Sequence, residues 1–172
     1  CARGGSKVVA NKNIRLIAGK PLIYYTILQA QECGLFDAVA VSSDSAEIIA
    51  VAKKCGVQYL IERPAELATD TSAKLPAIQH CVSAVEPLAG IHFDTIVDLD
   101  ATSPLRNVED ITKAVELLES KRVSNVITAM PSRRSPYFNM VAVIHDKVQL
   151  VKTVNPPLVR RQDAPACYDM NA

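Results

Sequence analysis

The sequence predicts an α/β protein with a doubly wound, mostly parallel sheet. Short strand-like runs alternate with helical stretches about four times along the chain, and this alternation is typical of strand–helix–strand units. The connections are of ordinary length, and the run at residues 37–42 has the composition of a buried parallel strand that leads into a helix. In such a sheet, binding residues are expected at the carboxyl ends of the strands.

The first regular elements are a helix, a strand and a second helix. Residues 21–33 carry apolar side chains at helical spacing, begin with a proline suited to a first turn and precede a glycine suited to a helix end. Residues 37–42 (DAVAVS) predict a buried strand. Either Asp44 or Ser45 would cap the next helix, which is predicted to end near Cys55.

Three more strands and two more helices continue the alternation. Residues 57–61 (VQYLI) predict a strand, and a loop then leads to a helix over about 74–85. Residues 94–100 (DTIVDLD) predict another buried strand, followed by a helix over about 107–120 that Asn107 caps. Residues 124–130 (SNVITAM) are predicted to close this regular section as a strand.

The pattern changes after Pro131. The runs YFNMVAVI and KVQLVKTV, separated by His-Asp, predict a β-hairpin, and a polar, proline-rich tail follows. We therefore predict a single domain over 1–172 with an appended arm over 131–171, and a second domain is the alternative. The chain begins at Cys-Ala-Arg-Gly-Gly without an apolar strand before it and ends in a polar stretch, so we expect both ends to be truncated.

Composition excludes several classes of protein. The 19 lysines and arginines nearly balance the 18 aspartates and glutamates, so no overall field would attract nucleic acid or an anionic membrane. No apolar run approaches the roughly 18 residues of a membrane span. The five cysteines are scattered and odd in number, which argues against a disulfide framework or a zinc site and fits a reducing cytoplasm.

A basic, glycine-containing loop opens the chain as ARGGSKVVANKN. Glycines let backbone N–H groups approach phosphate oxygens, and nearby cations neutralise their charge. The loop therefore predicts a triphosphate site, with an exposed basic turn as the alternative. Neither the P-loop pattern nor GxGxxG is present. The residues concerned are Arg3, Gly4, Gly5, Ser6, Lys7 and Lys12.

The motifs ARGGSK, GKPLIYYTI, SSDS, RPAELATDTS and ATSPLR occur in the order and at the spacing of the CMP-sialic acid synthetase family, which the chain resembles. The forms DLDATSPLR, MPSRRSPYFNMV and RRQDAPACYDMNA are most similar to the branch that acts on legionaminic acid. The resemblance implies a Rossmann-like, GT-A-like nucleotidyltransferase fold and transfer of CMP from CTP to a nine-carbon 2-keto sugar acid, with release of pyrophosphate.

The resemblance also implies a nucleotide site. The segment from Arg3 to Lys7 would wrap the triphosphate, with Arg3 and Lys7 as catalytic cations, Lys12 completing the positive end and Asn13 reaching the ribose. Arg63 would recognise the cytidine. Thr71 would bond the base edge, or it would cap the helix that follows. Lys74, a cation at a helix start where the dipole disfavours it, would contact the nucleotide or a nearby carboxylate.

Two carboxylates end the predicted strand over 94–100. Asp98 and Asp100 are two residues apart, which places them on one face, and such a pair is a candidate Mg²⁺ site. By the resemblance, however, the family's usual metal-binding aspartates are expected beyond the last residue of this sequence. Asp100 is therefore alternatively expected to bind sugar hydroxyls, and it is also a candidate catalytic residue.

A sugar carboxylate calls for a guanidinium, whose planar fork binds it in two places. By the resemblance Arg161 is the first choice, with Asn171 in support and Arg106 and Arg134 as further candidates. The two Arg-Arg pairs alternatively lie on a solvated surface.

The resemblance further implies a homodimer in which the arm over 131–171 reaches the partner subunit. Two other functions remain open. One is cytidylyl transfer to the eight-carbon keto-deoxy-octulosonate, and the other is a non-catalytic nucleotide-binding module.

Overall fold

The structure is a computed structural model that describes residues 1–6 and 9–170. It divides into two compact units, Cys1–Ser124 and Asn125–Asn171. Residues 131–170 of the predicted arm lie within the second unit. In the described part of the chain, no helix is long and apolar enough to cross a membrane.

The first unit mixes short strands with four helices. In chain order its elements are β1 (Leu16–Ile17), β2 (Lys20–Pro21), α1 (Leu22–Cys33), β3 (Ala40–Ser43), α2 (Ala46–Lys54), β4 (Tyr59–Glu62), α3 (Lys74–Ala89) and α4 (Val108–Lys121). The four predicted helices are confirmed, and α3 extends four residues beyond its predicted end at residue 85.

Local sequence explains where these helices begin and end. The Ser45 side chain accepts a hydrogen bond from the Ile48 N–H, so Ser45 rather than Asp44 caps α2. Asn107 and Asp110 form a reciprocal capping box at the start of α4. Gly34 ends α1 at a φ of 66°, in the left-handed region that favours glycine.

The described residues contain one parallel strand pair, β3 with β4, in the register Ala40↔Tyr59 to Ser43↔Glu62. The N-terminal segment adds to the edge of β3, because the Ala2 N–H donates to the Ser42 carbonyl at 3.0 Å. The architecture is mixed α/β, and the predicted doubly wound sheet is not confirmed.

The predicted strand over 94–100 is wrong, because the structure assigns no strand to this segment. Residues 95–99 and residues 38–41, which include the start of β3, line the same apolar cavity. The segment has the apolar composition of a buried strand, but a strand also needs a neighbouring backbone with which to hydrogen-bond.

The core of the first unit lies where α1 and α2 pack around β3. Its buried residues are small or β-branched, which suits close packing of helices on a short parallel pair. They are Ala2, Ile23, Ile27, Val41, Ile48, Ala52, Val57 and Ala101. The N-terminal segment thus enters the core at Ala2 and leaves it at the basic loop.

The second unit consists of two antiparallel pairs, β5 (Ala129–Pro131) with β8 (Tyr168–Met170) and β6 (Val141–Ile144) with β7 (Lys147–Leu150). The predicted strand over 124–130 is therefore shorter than expected, and it pairs antiparallel with a later segment. The predicted hairpin is confirmed. Its turn residues His145 and Asp146 have φ values of 50° and 59°, as a two-residue turn between right-twisted strands requires.

Candidate active site

The basic loop is held against the carboxyl end of β3. The Gly4 N–H donates to Asp44 Oδ1 at 2.9 Å. A Cβ at position 4 would lie 3.0 Å from the Cβ of Ser45, the cap of α2, whereas a Cβ at Gly5 would meet nothing within 4 Å. Close approach to the next strand–helix turn therefore favours glycine at position 4.

Arg3 points along the loop that precedes α3. Its Nη1 donates to the Thr69 carbonyl at 3.0 Å and lies 3.3 Å from Asp70 Oδ1. Asn13, which is 8% exposed, donates from Nδ2 to the Arg3 carbonyl at 2.9 Å. The side chain of Asn13, which was predicted to reach a ribose, is therefore hydrogen-bonded to the backbone of the basic loop.

Three other loop residues have different surroundings. The Ser6 N–H donates to the Gly4 carbonyl at 2.9 Å, which tightens the turn. Lys12 is half-buried and begins the 3-10 turn Lys12–Ile14. Lys7 lies outside the described residues.

Arg63 follows β4 and bonds back to β3. Its Nη2 donates to the Ser42 carbonyl at 2.8 Å and its Nε to Ser42 Oγ at 3.1 Å. Burial lowers the pKa of the Arg63 guanidinium, and the nearby Asp44 carboxylate opposes that shift. The Arg63 guanidinium is thus fixed near Asp44, whose carboxylate accepts the hydrogen bond from the Gly4 N–H.

The threonine–serine loop before α3 is bonded within itself. The Thr71 hydroxyl lies 3.3 Å from that of Thr69, and the Ser72 hydroxyl donates to the Glu66 carbonyl at 2.7 Å. The helix α3 begins after Ala73 without a side-chain cap. The capping alternative for Thr71 is therefore wrong, and its contact with a base stays a prediction.

Lys74 lies between the two predicted metal ligands. Its Nζ is 2.6 Å from Asp98 Oδ2 and 2.9 Å from Asp100 Oδ2. Burial alone would lower the pKa of Lys74, but the hydrogen bonds and charges of both aspartates outweigh it and raise this pKa above the usual value. Lys74 was expected to contact either the nucleotide or a nearby carboxylate, and in the structure it contacts two carboxylates.

Arg106 holds the loop ATSPLR (residues 101–106) against α1. Its Nη2 donates to the Asp100 carbonyl at 3.1 Å and its Nη1 to Gln29 Oε1 at 3.2 Å. Gln29 Nε2 in turn donates to the carbonyls of Pro104 and Arg106, and the Thr26 hydroxyl donates to Asp100. Arg106, a candidate for the sugar, therefore has its guanidinium engaged within the protein.

The Asp98–Asp100 pair does not fit a Mg²⁺ ion in this arrangement. The Lys74 ammonium occupies the space between the two Oδ2 atoms, where the ion would lie. Among the described residues, no group of three or more His, Cys, Asp or Glu side chains is placed to hold a metal. A Mg²⁺ ion in proteins needs close oxygen ligands in near-octahedral geometry.

The second unit has a pocket of its own. Arg134 and Arg161 both line it, together with Ser132, Cys167 and Tyr168. Arg161 Nη2 donates to the Arg133 carbonyl at 3.3 Å. Two arginines predicted to bind a sugar carboxylate are therefore brought to one concave surface. Asn171 lies outside the described residues.

Sequence reasoning missed the residues that position this site. Ser42 and Asp44 belong to the SSDS motif that supports the family resemblance, but neither was predicted to hold the basic loop or Arg63. Thr26 and Gln29 are polar residues three positions apart on the apolar face of α1, where they are 7% and 9% exposed. Such buried polar residues indicate specific hydrogen bonds, and this signal was available from the helical pattern.

The fold is that of an α/β nucleotidyltransferase. The structure is similar to the solved structure of CMP:2-keto-3-deoxy-manno-octonic acid synthetase complexed with CTP, with a TM-score of 0.56 and 19% sequence identity. The match covers 71% of this chain and 46% of that one. At this identity the likeness defines the fold alone.

The chain belongs to the cytidylyltransferase family, whose profile matches residues 1–172. It is 48% identical over all of its 172 residues to the CMP-N,N'-diacetyllegionaminic acid synthase of Campylobacter jejuni. It is 46% identical over the same length to the post-translational flagellin modification protein B of Campylobacter coli. It spans 72% of each of these relatives. The predicted family is confirmed.

Proposed function

We propose that the protein transfers CMP from CTP to the anomeric hydroxyl of a nine-carbon 2-keto sugar acid of the legionaminic or sialic type and releases pyrophosphate. The observation that carries this proposal is the convergence of two segments, the N-terminal loop and the segment that follows β4, on residues 42–44. Ala2 and Arg63 bond to Ser42, and Gly4 bonds to Asp44. This brings a basic loop and a fixed guanidinium to the carboxyl end of a parallel strand pair, where nucleotides bind in such folds.

The reaction demands positioning and charge neutralisation more than a protein nucleophile. The hydroxyl oxygen of the sugar bonds to the α-phosphorus of CTP, the bond from that phosphorus to the bridging oxygen breaks, and the hydroxyl proton passes to the released pyrophosphate or to solvent. In this proposal Arg3 exchanges Thr69 and Asp70 for phosphate oxygens, and Lys7 supplies a second cation. Arg63 lies at the cytidine end.

In this proposal, guanidinium groups bind the carboxylate of the acidic sugar. Arg134 and Arg161 line one pocket of the second unit, and two guanidinium groups suit a carboxylate better than lysines would, because each presents a planar pair of donors. Arg106 is a less suitable candidate since its donors are engaged with Asp100 and Gln29. The relative named for diacetyllegionaminic acid supports a nine-carbon substrate over keto-deoxy-octulosonate.

A magnesium requirement stays a prediction from the family resemblance. A bound divalent cation would neutralise charge on the triphosphate. Asp98 and Asp100 do not form a site for this cation, because Lys74 lies between their carboxylates. The proposed reaction therefore does not depend on a metal ion held by this pair. Because CTP is an intracellular nucleotide, we place the reaction in the cytoplasm.

We further propose that the enzyme is a homodimer. In the β6–β7 hairpin the pairs Val141↔Leu150 and Val143↔Val148 place four apolar side chains on one face, and they are 37–70% exposed. An isolated hairpin with such a face is marginal in water, and a second copy would cover it. Val143→Lys with Val148→Lys should convert the protein to a monomer in sedimentation experiments, whereas lysines at the opposite-face residues Ala142 and Gln149 should not.

The function is tested by measuring pyrophosphate release from CTP with diacetyllegionaminic acid, N-acetylneuraminic acid and keto-deoxy-octulosonate in parallel. We expect turnover with the nine-carbon acids and its loss in Arg3→Ala. CTP binding without pyrophosphate release on any acid would instead identify a non-catalytic module. Preference for the eight-carbon acid would identify the alternative enzyme.

A further inference from the structure

The Asp98–Asp100 pair and Lys74 form a charged cluster that the proposed reaction does not use. We propose that Lys74 is the resident cation of this pair and that it keeps divalent metal ions out of the space between the two carboxylates. Any divalent cation that the protein binds is then held by other groups. This inference concerns the protein alone and does not depend on the proposed function.

The geometry is that of a shared ion pair. The Lys74 Nζ contacts one oxygen of each carboxylate, at 2.6 Å from Asp98 and 2.9 Å from Asp100. These are the lengths of charge-assisted hydrogen bonds. The two aspartate side chains are 23% and 28% exposed, so the cluster is partly shielded from solvent. Partial shielding strengthens both contacts, since charges interact more strongly in a lower dielectric.

The position of Lys74 in the fold also favours the pair over a metal. Lys74 is the first residue of α3, a helix with no acidic residue in its first turn and no side-chain cap. The positive end of a helix disfavours a cation there unless anions compensate it. Asp98 and Asp100 provide that compensation from another part of the chain, and a divalent ion at the same place would face the helix end and Lys74 together.

The pair is anchored from its other side as well. The Asp100 carbonyl accepts hydrogen bonds from the Thr26 hydroxyl and from Arg106 Nη2, both at 3.1 Å. The backbone of Asp100 is thus held by α1 and by Arg106, while its carboxylate contacts Lys74. To bind a metal between the aspartates, Lys74 would have to leave two charge-assisted bonds, and Mg²⁺ would have to give up waters that it releases reluctantly.

The test measures Mn²⁺ binding to the protein without nucleotide, by electron paramagnetic resonance. Wild-type protein should bind no Mn²⁺ that depends on Asp98 or Asp100. Lys74→Met removes the ammonium and keeps the apolar stem, so it should bind Mn²⁺ at least about tenfold more tightly, because a unit charge in contact with both carboxylates is lost. Adding Asp98→Asn to Lys74→Met should abolish the gain, and Lys74→Arg, which retains the charge, should show none.

Two results would overturn the inference. One is Mn²⁺ binding by the wild-type protein that Asp98→Asn removes, which would mean that a metal displaces Lys74. The other is a Lys74→Met protein that binds no more Mn²⁺ than wild type. If Lys74→Met does not fold, the ammonium resonance of Lys74 in ¹⁵N-lysine-labelled wild-type protein decides. It should be unchanged when Mg²⁺ is added, and a shift toward that of a free lysine would refute the inference.

Discussion

The backbone N–H of Gly4 donates a hydrogen bond to Asp44 Oδ1 across 40 residues of sequence, at 2.9 Å. Asp44 directly follows β3 and precedes Ser45, the cap of α2. One carboxylate thus connects the basic loop to the turn between a strand and a helix. The same amide was predicted to approach phosphate, and in the structure its hydrogen is donated to this carboxylate.

Asp44→Ala should destabilise the protein, because it leaves the Gly4 amide without its acceptor. The expected loss is about 1 kcal/mol, the value of a typical hydrogen bond, measured by urea unfolding. Asp44→Asn keeps an acceptor and should lose less. Asp37→Ala, at an exposed position ahead of β3, serves as the control. Equal stability of the Asp44→Ala and Asp37→Ala proteins would contradict the structural role.

The two loop glycines should respond differently to alanine. In Gly4→Ala the new Cβ would lie 3.0 Å from the Ser45 Cβ, which is fixed at a helix cap, while in Gly5→Ala it would meet nothing within 4 Å. We expect Gly4→Ala to lower the thermal midpoint and Gly5→Ala to leave it unchanged or raise it slightly, since alanine restricts the unfolded chain. The interpretation of Gly4 fails if the two variants unfold at the same temperature.

Gln29 and Arg106 should be energetically coupled. Arg106 Nη1 donates to Gln29 Oε1 at 3.2 Å, and Gln29 Nε2 donates to the Arg106 carbonyl at 2.7 Å. Alanine at either position should destabilise the fold, and a double-mutant cycle on urea unfolding should give a coupling of about 1 kcal/mol.

The matched control for this cycle pairs Gln29→Ala with Arg122→Ala. Arg122 is exposed at the end of α4, so this second cycle should be additive. If the cycle of Gln29→Ala and Arg106→Ala is also additive, the contact between these two side chains contributes nothing to stability. If Arg106 instead serves the sugar, Arg106→Ala would lower turnover without changing stability.

Cys81 should titrate at higher pH in the folded protein than in the unfolded one. Burial raises the pKa of its thiol, and the positive charges of the N-terminal ammonium and of Arg63 oppose this only partly. The thiolate is the form that reacts with iodoacetamide, so the midpoint of the pH profile for alkylation of the Cys81 peptide should lie higher in native protein than in urea. Using the midpoint separates the pKa shift from simple protection by burial. Identical midpoints in native protein and in urea would contradict the predicted rise in the pKa of Cys81.

Much of the local structure was predictable from short stretches of sequence. The helix caps at Ser45 and Asn107 and the turn at His145 and Asp146 depend on residues within four positions of each other. The motif order indicated the family, which the match over residues 1–172 confirms. The prediction of a strand over 94–100 was wrong, because an apolar pattern indicates a tendency to be buried and does not show that a neighbouring backbone is present.

The contacts that shape the site were decided by tertiary structure. Gly4 and Asp44, Lys74 and Asp100, and Gln29 and Arg106 are separated by 40, 26 and 77 residues. By itself, the sequence determined which residue types were available: glycine and cations at the loop, two carboxylates two positions apart, and a lysine at a helix start. Only the folded chain decided that the lysine, rather than a metal, lies between those carboxylates, because which opposite charges come within hydrogen-bond distance depends on how helices and strands pack.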